Sequence, residues 1–405
     1  MRRYNFHTIQ QSLTRVGLVL LWSTLPISSL VSAAERTSNT EQLENRIDAL
    51  QAQVDSLSNT AATKHEIGLP IHGFSDVNFV HDTQHANGTQ SGFALGNFDL
   101  YMAPNLGNRM RALVELNFEY SSKDGSLGTD LERLEYGYTF NDAFTLWAGR
   151  FHTPYGYWNT AFHHGAQMQL STRRPQFIDF EDGGGILPAH SVGLDATGRW
   201  RAGPGKLNYD LYIANGSRIA DGTMDFNAYK DNDSNKLIGG NLKYVLSGAV
   251  EGLSIGIHAF TERVSSYNNN IWQTTTTVNM TGAYAVFEGE QWQVMSEYYH
   301  FNNHDESGVT GAHSSWAGYA QAGFRINQVT PFVRYEKASL DQADRYFADQ
   351  ESGRSYERQS LGVRYDLNHQ VALKAEYGHS KDVLRLGDST PASWDRLQLQ
   401  FCVAF

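Results

Sequence analysis

The sequence predicts an all-β protein: a sixteen-stranded antiparallel transmembrane β-barrel behind a short N-terminal periplasmic coiled-coil helix. Three observations carry this. The last stretch, WDRLQLQFCVAF, places Leu397, Leu399, Phe401, Val403 and Phe405 on one side and Arg396, Gln398, Gln400, Cys402 and Ala404 on the other. That period of two is the mark of a half-buried strand. Sixteen such runs follow residue 70, joined alternately by short turns and long polar loops, which is how barrels with an even strand number are organised. Beyond the N-terminus no stretch approaches the ~20 apolar residues of a spanning helix. A span would then require a closed sheet with every backbone group paired.

Composition agrees. Aromatics make up 12% of the chain, with 37 Gly and only 9 Pro, which suits a barrel wetted inside, where every second strand residue is apolar. The single cysteine, Cys402, excludes an internal disulfide framework and a cysteine zinc site. A net charge of −11 argues against a nucleic-acid partner, which would call for clustered Lys and Arg.

In chain order, residues 1–34 read as a signal peptide. Arg2, Arg3 and Arg15 precede a mostly apolar run from Val16 to Val31, and Ser32-Ala33-Ala34 offers a cleavage site. Removing its three arginines takes the net charge from −11 to −14. Residues 35–69 are a periplasmic segment. Leu43, Ile47, Leu50, Val54 and Leu57 form a heptad seam that would join protomers, and a polar linker runs from Ser58 to Leu69. Residues 70–405 are the barrel.

The expected strands are 71–82, 92–103, 109–120, 131–140, 144–151, 190–200, 206–214, 236–246, 252–262, 276–287, 291–301, 314–326, 330–338, 357–367, 370–380 and 393–405. Aromatics flank the short turns: Phe140 and Phe144, Phe287 and Trp292, Phe324 and Phe332. They are expected to form a girdle at one membrane face.

One loop stands apart, 152–189, HTPYGYWNTAFHHGAQMQLSTRRPQFIDFEDGGGILPA. Its aromatics suit it poorly to solvent, so it is expected to fold inward and narrow the pore. Arg173 and Arg174 would then face Asp179, Glu181 and Asp182 across the lumen, a charge arrangement that sets ion selectivity. Trp147, Tyr155, Tyr157 and Trp158 could offer a stacking surface to a sugar ring.

The phrase GRFHTPYGYW (Gly149 to Trp158), the long third loop and the terminal Phe405 resemble Gram-negative outer-membrane porins, the phosphate-selective porin O/P group in particular. The resemblance implies a homotrimer among outer-membrane lipid and lipopolysaccharide, passing small hydrophilic solutes and ions through a pore constricted by the loop. It does not carry phosphate selectivity with it.

Alternation assigns lumen-facing bases Arg111, Arg133, Lys243, Arg325, Arg334, Arg364, Lys374 and Arg396. The acids are Asp99, Glu115, Glu119, Glu135, Asp195, Asp210, Glu336, Asp366 and Glu376. Eight against nine gives no strong ion preference, and such charges also pair across strands to stiffen a wall. Arg150 has no orientation unless a bulge intervenes, because Phe144-Leu146-Ala148 and Trp147-Gly149-Phe151 compete for the lipid face.

No catalytic residue, cofactor site or metal site is expected. Gly183-Gly184-Gly185 lacks the lysine and helix of a P-loop. Asp231, Asp233 and Asn235 lack the glycine and glutamate of a calcium loop. His163 and His164, adjacent on an extended chain, point opposite ways. Alternatives to a general diffusion channel are a channel specific for phosphate, another anion, a sugar or an organic acid, and a non-conducting structural or adhesive barrel.

Overall fold

The computed structural model describes residues 71–84, 90–120, 125–162, 165–181, 183–225, 234–307, 311–386, 388 and 390–405. The signal peptide, the coiled coil, His163-His164, Asp182, Asp231 and Asp233 lie outside the described residues.

Among the described residues, eighteen strands form one sheet. The first seven are β1 (Ile71–Asp82), β2 (Gln90–Met102), β3 (Met110–Tyr120), β4 (Leu127–Asn141), β5 (Phe144–His152), β6 (His190–Ala202) and β7 (Gly205–Asn215). Two short strands, β8 (Arg218–Ala220) and β9 (Thr223–Met224), form a small hairpin between β7 and the next wall strand. The wall resumes with β10 (Lys236–Val245), β11 (Leu253–Asn268), β12 (Ile271–Glu288), β13 (Trp292–Asp305) and β14 (Gly311–Phe324). It ends with β15 (Val329–Ser339), β16 (Tyr356–Asp366), β17 (Val371–Asp382) and β18 (Ser393–Ala404). The sixteen wall strands match the expected runs to within six residues at each end, with β11 and β12 extending furthest beyond them, and the added hairpin comes from a loop with no alternating pattern.

Each wall strand pairs antiparallel with its neighbours, and β18 pairs back onto β1, so the sheet is closed. Closure reaches the last residue. The Gly73 N–H donates to the Phe405 carbonyl at 2.9 Å, and the Phe405 N–H donates to the Gly73 carbonyl at 3.0 Å. The Phe405 ring stacks on Phe98 of β2, and a Cβ at Gly73 would run into that ring. A glycine is therefore required at this seam.

The two faces separate as the alternation predicts. On β18, Leu397, Leu399 and Phe401 are 41, 46 and 44% exposed, while Gln398, Gln400 and Cys402 are 7, 4 and 0%. The apolar face looks out and the polar face looks in, the inverse of a soluble protein. Outward aromatics pair beside the turns, Phe140 with Phe144 and Trp292 with Phe324. Phe332 departs from the expected girdle. Val329, Pro331 and Val333 take the outward positions of β15, which puts Phe332 on the inner face against Gly362. On β5, Leu146 and Ala148 face out, and the Trp147 indole N–H donates inward to Thr197 at 3.1 Å. A register irregularity lies in the β4–β5 ladder, at Thr139 and Asn141, and Gly149 takes φ +139. Arg150 is nonetheless buried, its Nε donating to the Glu132 carbonyl at 3.2 Å.

Truncation after Val403 removes the Gly73–Phe405 hydrogen bonds and the Phe74–Ala404 pair. The expected result is loss of the heat-modifiable band on seminative gels. A normal band would show that the seam closes without its last two residues.

Candidate functional site

The segment between β5 and β6 is a long described stretch that the ladder does not hold. Its ends meet: the Thr153 N–H donates to the Ala189 carbonyl at 2.8 Å, and the Asn159 amide donates to both carbonyls. Between these ends run α1 (Trp158–Ala161) and two single turns of 3₁₀ helix, Ala166–Met168 and Gln176–Ile178. Helices this short have no stability of their own. Wall side chains hold the segment in place.

Three buried carboxylates accept its backbone N–H groups. Glu297 of β13 takes Tyr157 N–H and Trp158 N–H at 2.8 Å each, and also the hydroxyls of Tyr299 at 2.8 Å and Tyr319 at 2.7 Å. Glu336 of β15 takes Gln176 N–H at 2.8 Å. Glu376 of β17 takes Thr172 N–H at 2.7 Å and its hydroxyl at 2.9 Å. Gly156 has φ +63, and a side chain there would strike Glu297 and Tyr299. The glycine lets the backbone come close enough to use that carboxylate.

Wall bases take the segment's carbonyls. Arg334 donates to Arg173 O at 2.8 Å and to Ser171 Oγ at 2.9 Å. Lys374 donates to Ser171 O at 2.9 Å and to Ala166 O. Arg364 donates to Gln169 O at 2.8 Å and to Gln167 O. Arg334 also pairs with Glu336 at 2.9 Å and Arg364 with Asp366 at 2.7 Å. These expected wall charges hold the segment to the barrel.

The remaining wall residues divide. Glu115 pairs with Arg133 on β3 and β4. Glu135 sits on β4, and Asp195 and Asp210 lie on β6 and β7. Arg111 lines a cavity of about 490 Å³ with Tyr157, Asp210, Asn241 and Lys243. Arg325 is exposed and lines a second, of about 290 Å³, with Gln167, Leu170 and Arg364.

Within the segment, Arg174 is buried. Its Nε donates to Ile178 O at 2.9 Å, an Nη donates to Asn159 at 2.7 Å, and its guanidinium lies 4.0 Å from the Phe180 ring centroid. Glu181 is buried too and accepts from the His190 backbone N–H at 3.1 Å. Burial pushes its carboxyl up, but the charge and hydrogen bonds of His190 prevail and hold it below the ordinary value. Asp179 accepts the N–H of Phe180 at 3.0 Å. Arg173 lies beside Arg358, Arg396 and Trp394. Burial and the like charges of Arg396 and Arg358 lower its guanidinium pKa.

Tyr155 and Trp158 are fully buried, in a cluster with Phe177, Tyr299 and Tyr319, so neither presents a stacking surface to a solute. Glu297, the most heavily used anchor, was not among the expected wall residues. Its inner-face neighbours Met295, Tyr299 and Phe301 are apolar or aromatic because the segment covers them, which removes the alternation that would have marked it.

Comparison with solved structures places this architecture. An anion-selective porin from Comamonas acidovorans superposes with a TM-score of 0.59 at 14% identity, over 84% of this chain and 99% of that one. The chain has the porin fold. The trimer form of OmpT, an outer membrane protein of Vibrio cholerae, gives 0.53 at 10% identity over 84% and 99%. The outer membrane channel DcaP of Acinetobacter baumannii gives 0.52 at 11% over 84% and 99%. No protein-family model matches the sequence, and no curated protein matches it.

Glu297→Ala deletes four hydrogen bonds to one buried carboxylate, and the two from the Tyr157 and Trp158 N–H groups are worth about 3 kcal/mol of anchoring of the segment to the wall. The barrel should remain heat-modifiable while segment 153–189 becomes cleavable by trypsin after Arg173, the Arg174–Pro175 bond being resistant. Protection equal to wild type would mean that Glu336 and Glu376 suffice.

Proposed function

We propose that this chain forms a water-filled channel in the outer membrane of a Gram-negative bacterium, passing ions and small hydrophilic solutes by diffusion. Segment 153–189 narrows the channel, and three copies assemble among lipid and lipopolysaccharide, their N-terminal segments in the periplasm. The observation that carries this is a closed sixteen-strand wall, apolar outside and polar inside. A barrel of that strand number encloses an aqueous channel. The hydrogen bonds from the segment to the inner face at Glu297, Glu336 and Glu376 support the narrowing.

One observation favours a second reading, a channel that prefers organic or inorganic anions. Arg173, Arg358 and Arg396 gather with Ser360, Ser380 and Gln398 around a small void. Arg358 and Arg396 lie 5.3 and 5.9 Å from the Trp394 ring centroid. Guanidinium groups beside an aromatic surface suit a carboxylate or phosphate carried on an apolar body. Arg396 is already paired with Asp82 at 2.6 Å, and Arg358 lies 4.0 Å from Glu336 and donates to Ser380 at 2.9 Å, so Arg173 is the guanidinium on which this reading chiefly rests.

Single-channel recording in a planar bilayer under a salt gradient tests both. Stable steps closing in threes, with a reversal potential near zero or slightly toward cations, are expected for the general channel. A strongly anion-side potential that falls when Arg173 and Arg358 are both replaced by alanine is the outcome of the second reading. A folded barrel that passes no current would overturn both and leave a structural barrel.

A further inference from the structure

The strands entering and leaving segment 153–189 place metal-binding donors side by side. His152, the last residue of β5, is the register partner of His190, the first residue of β6. The β4–β5 register pairs Leu134 with Arg150, and the same register carried two residues beyond the ladder would bring Glu132 opposite His152. Glu132, His152 and His190 thus form one row across three neighbouring strands. Side chains so placed share a face and lie about 5 Å apart at Cβ.

The row is closed off from solvent, with all three residues buried. One donor atom from each lies within 4.8 Å of the others. His190 Nε2 approaches the Glu132 carboxylate at 2.6 Å, and its Nδ1 approaches Glu181 Oε2 at 3.3 Å. The His152 and His190 rings meet edge to face at 4.9 Å, and Phe180 stacks over His190 at 5.6 Å.

We propose that Glu132, His152 and His190 bind a divalent transition-metal ion of the zinc type, with Glu181 orienting His190. Two imidazoles and a carboxylate are a donor set that zinc accepts at about 2.0–2.2 Å per bond. Tetrahedral donors then lie about 3.3 Å apart, so the present spread closes with side-chain shifts of about 1 Å. A carboxylate on the far nitrogen of a ligating histidine fixes its tautomer and ring plane, and Glu181 occupies that position on His190. The ion replaces the proton between His190 and Glu132. Arg150 opposes binding, since it is buried beside Glu132. Glu132 and Glu181 supply two negative charges against its one, so an ion with neutral histidines leaves these groups within one charge of balance.

The ion would staple β4, β5 and β6 at the root of the segment. The ladder there depends on Gly149 at φ +139, and β4 is bulged against β3 beside Glu132.

The test uses the full-length barrel in detergent, stripped with EDTA and titrated with zinc by calorimetry. Zinc content after dialysis is read by elemental analysis. About one zinc per chain is expected for wild type. Glu132→Gln and His152→Ala should each lose it while keeping a heat-modifiable barrel. Glu181→Gln should weaken it roughly tenfold. Cobalt in place of zinc should give visible d–d absorption that His152→Ala abolishes. If Glu132→Gln fails to fold, His152→Ala, which leaves the His190–Glu132 and His190–Glu181 pairs in place, carries the test. Stoichiometry below about a tenth of an ion per wild-type chain, or equal binding by a folded His152→Ala, would overturn the proposal.

Discussion

Everything in this molecule depends on the closure of one backbone ladder. A sheet whose outer face is apolar has no water to satisfy an unpaired edge, and each stranded N–H or C=O in hydrocarbon would cost several kcal/mol. The edge is abolished where β18 meets β1, and the pairing continues to the terminal residue through Gly73 and Phe405. Because the ring of strands is closed, its curvature and interior width are set, and every side chain is assigned to one face. The inner face can then hold a long segment that has no regular structure to sustain it.

That segment solves an electrostatic problem as well as a packing one. Inward-facing carboxylates and bases on β13 to β17 lie away from bulk water, where an unpaired charge is costly. The segment supplies N–H groups to Glu297, Glu336 and Glu376, and carbonyls to Arg334, Arg364 and Lys374. Charge on the wall and irregular backbone in the segment satisfy each other. Where the two surfaces meet most closely, the inner wall turns apolar, and Met280, Met295, Tyr299 and Phe301 pack against the segment's own aromatics. A cavity lined by Arg111, Asp210 and Lys243 remains beside Tyr157 of the segment.

The row of Glu132, His152 and His190 follows from the same geometry. The segment leaves the wall at β5 and returns at β6, so its two root residues are register partners. Any chemistry placed there acts on the joint between wall and segment.

The sequence by itself determined the strands, their faces and the closure. A period-two pattern needs only neighbours in the chain, as the close match of the sixteen runs and the outward Leu397, Leu399 and Phe401 illustrate. It also marked 153–189 as unlike the other loops. Phe332 went to the other face because a neighbouring run of outward residues competed with it. Glu297 stayed hidden because its inner-face neighbours Met295, Tyr299 and Phe301 are apolar or aromatic. Whether Arg174 and Glu181 would meet solvent or be consumed inside the segment depended on contacts with Asn159, Phe180 and His190. The row of metal-type donors depended on register between strands. Alternation is local, whereas register, covered surfaces and paired charges come from residues brought together across the barrel, and only the tertiary structure decides those.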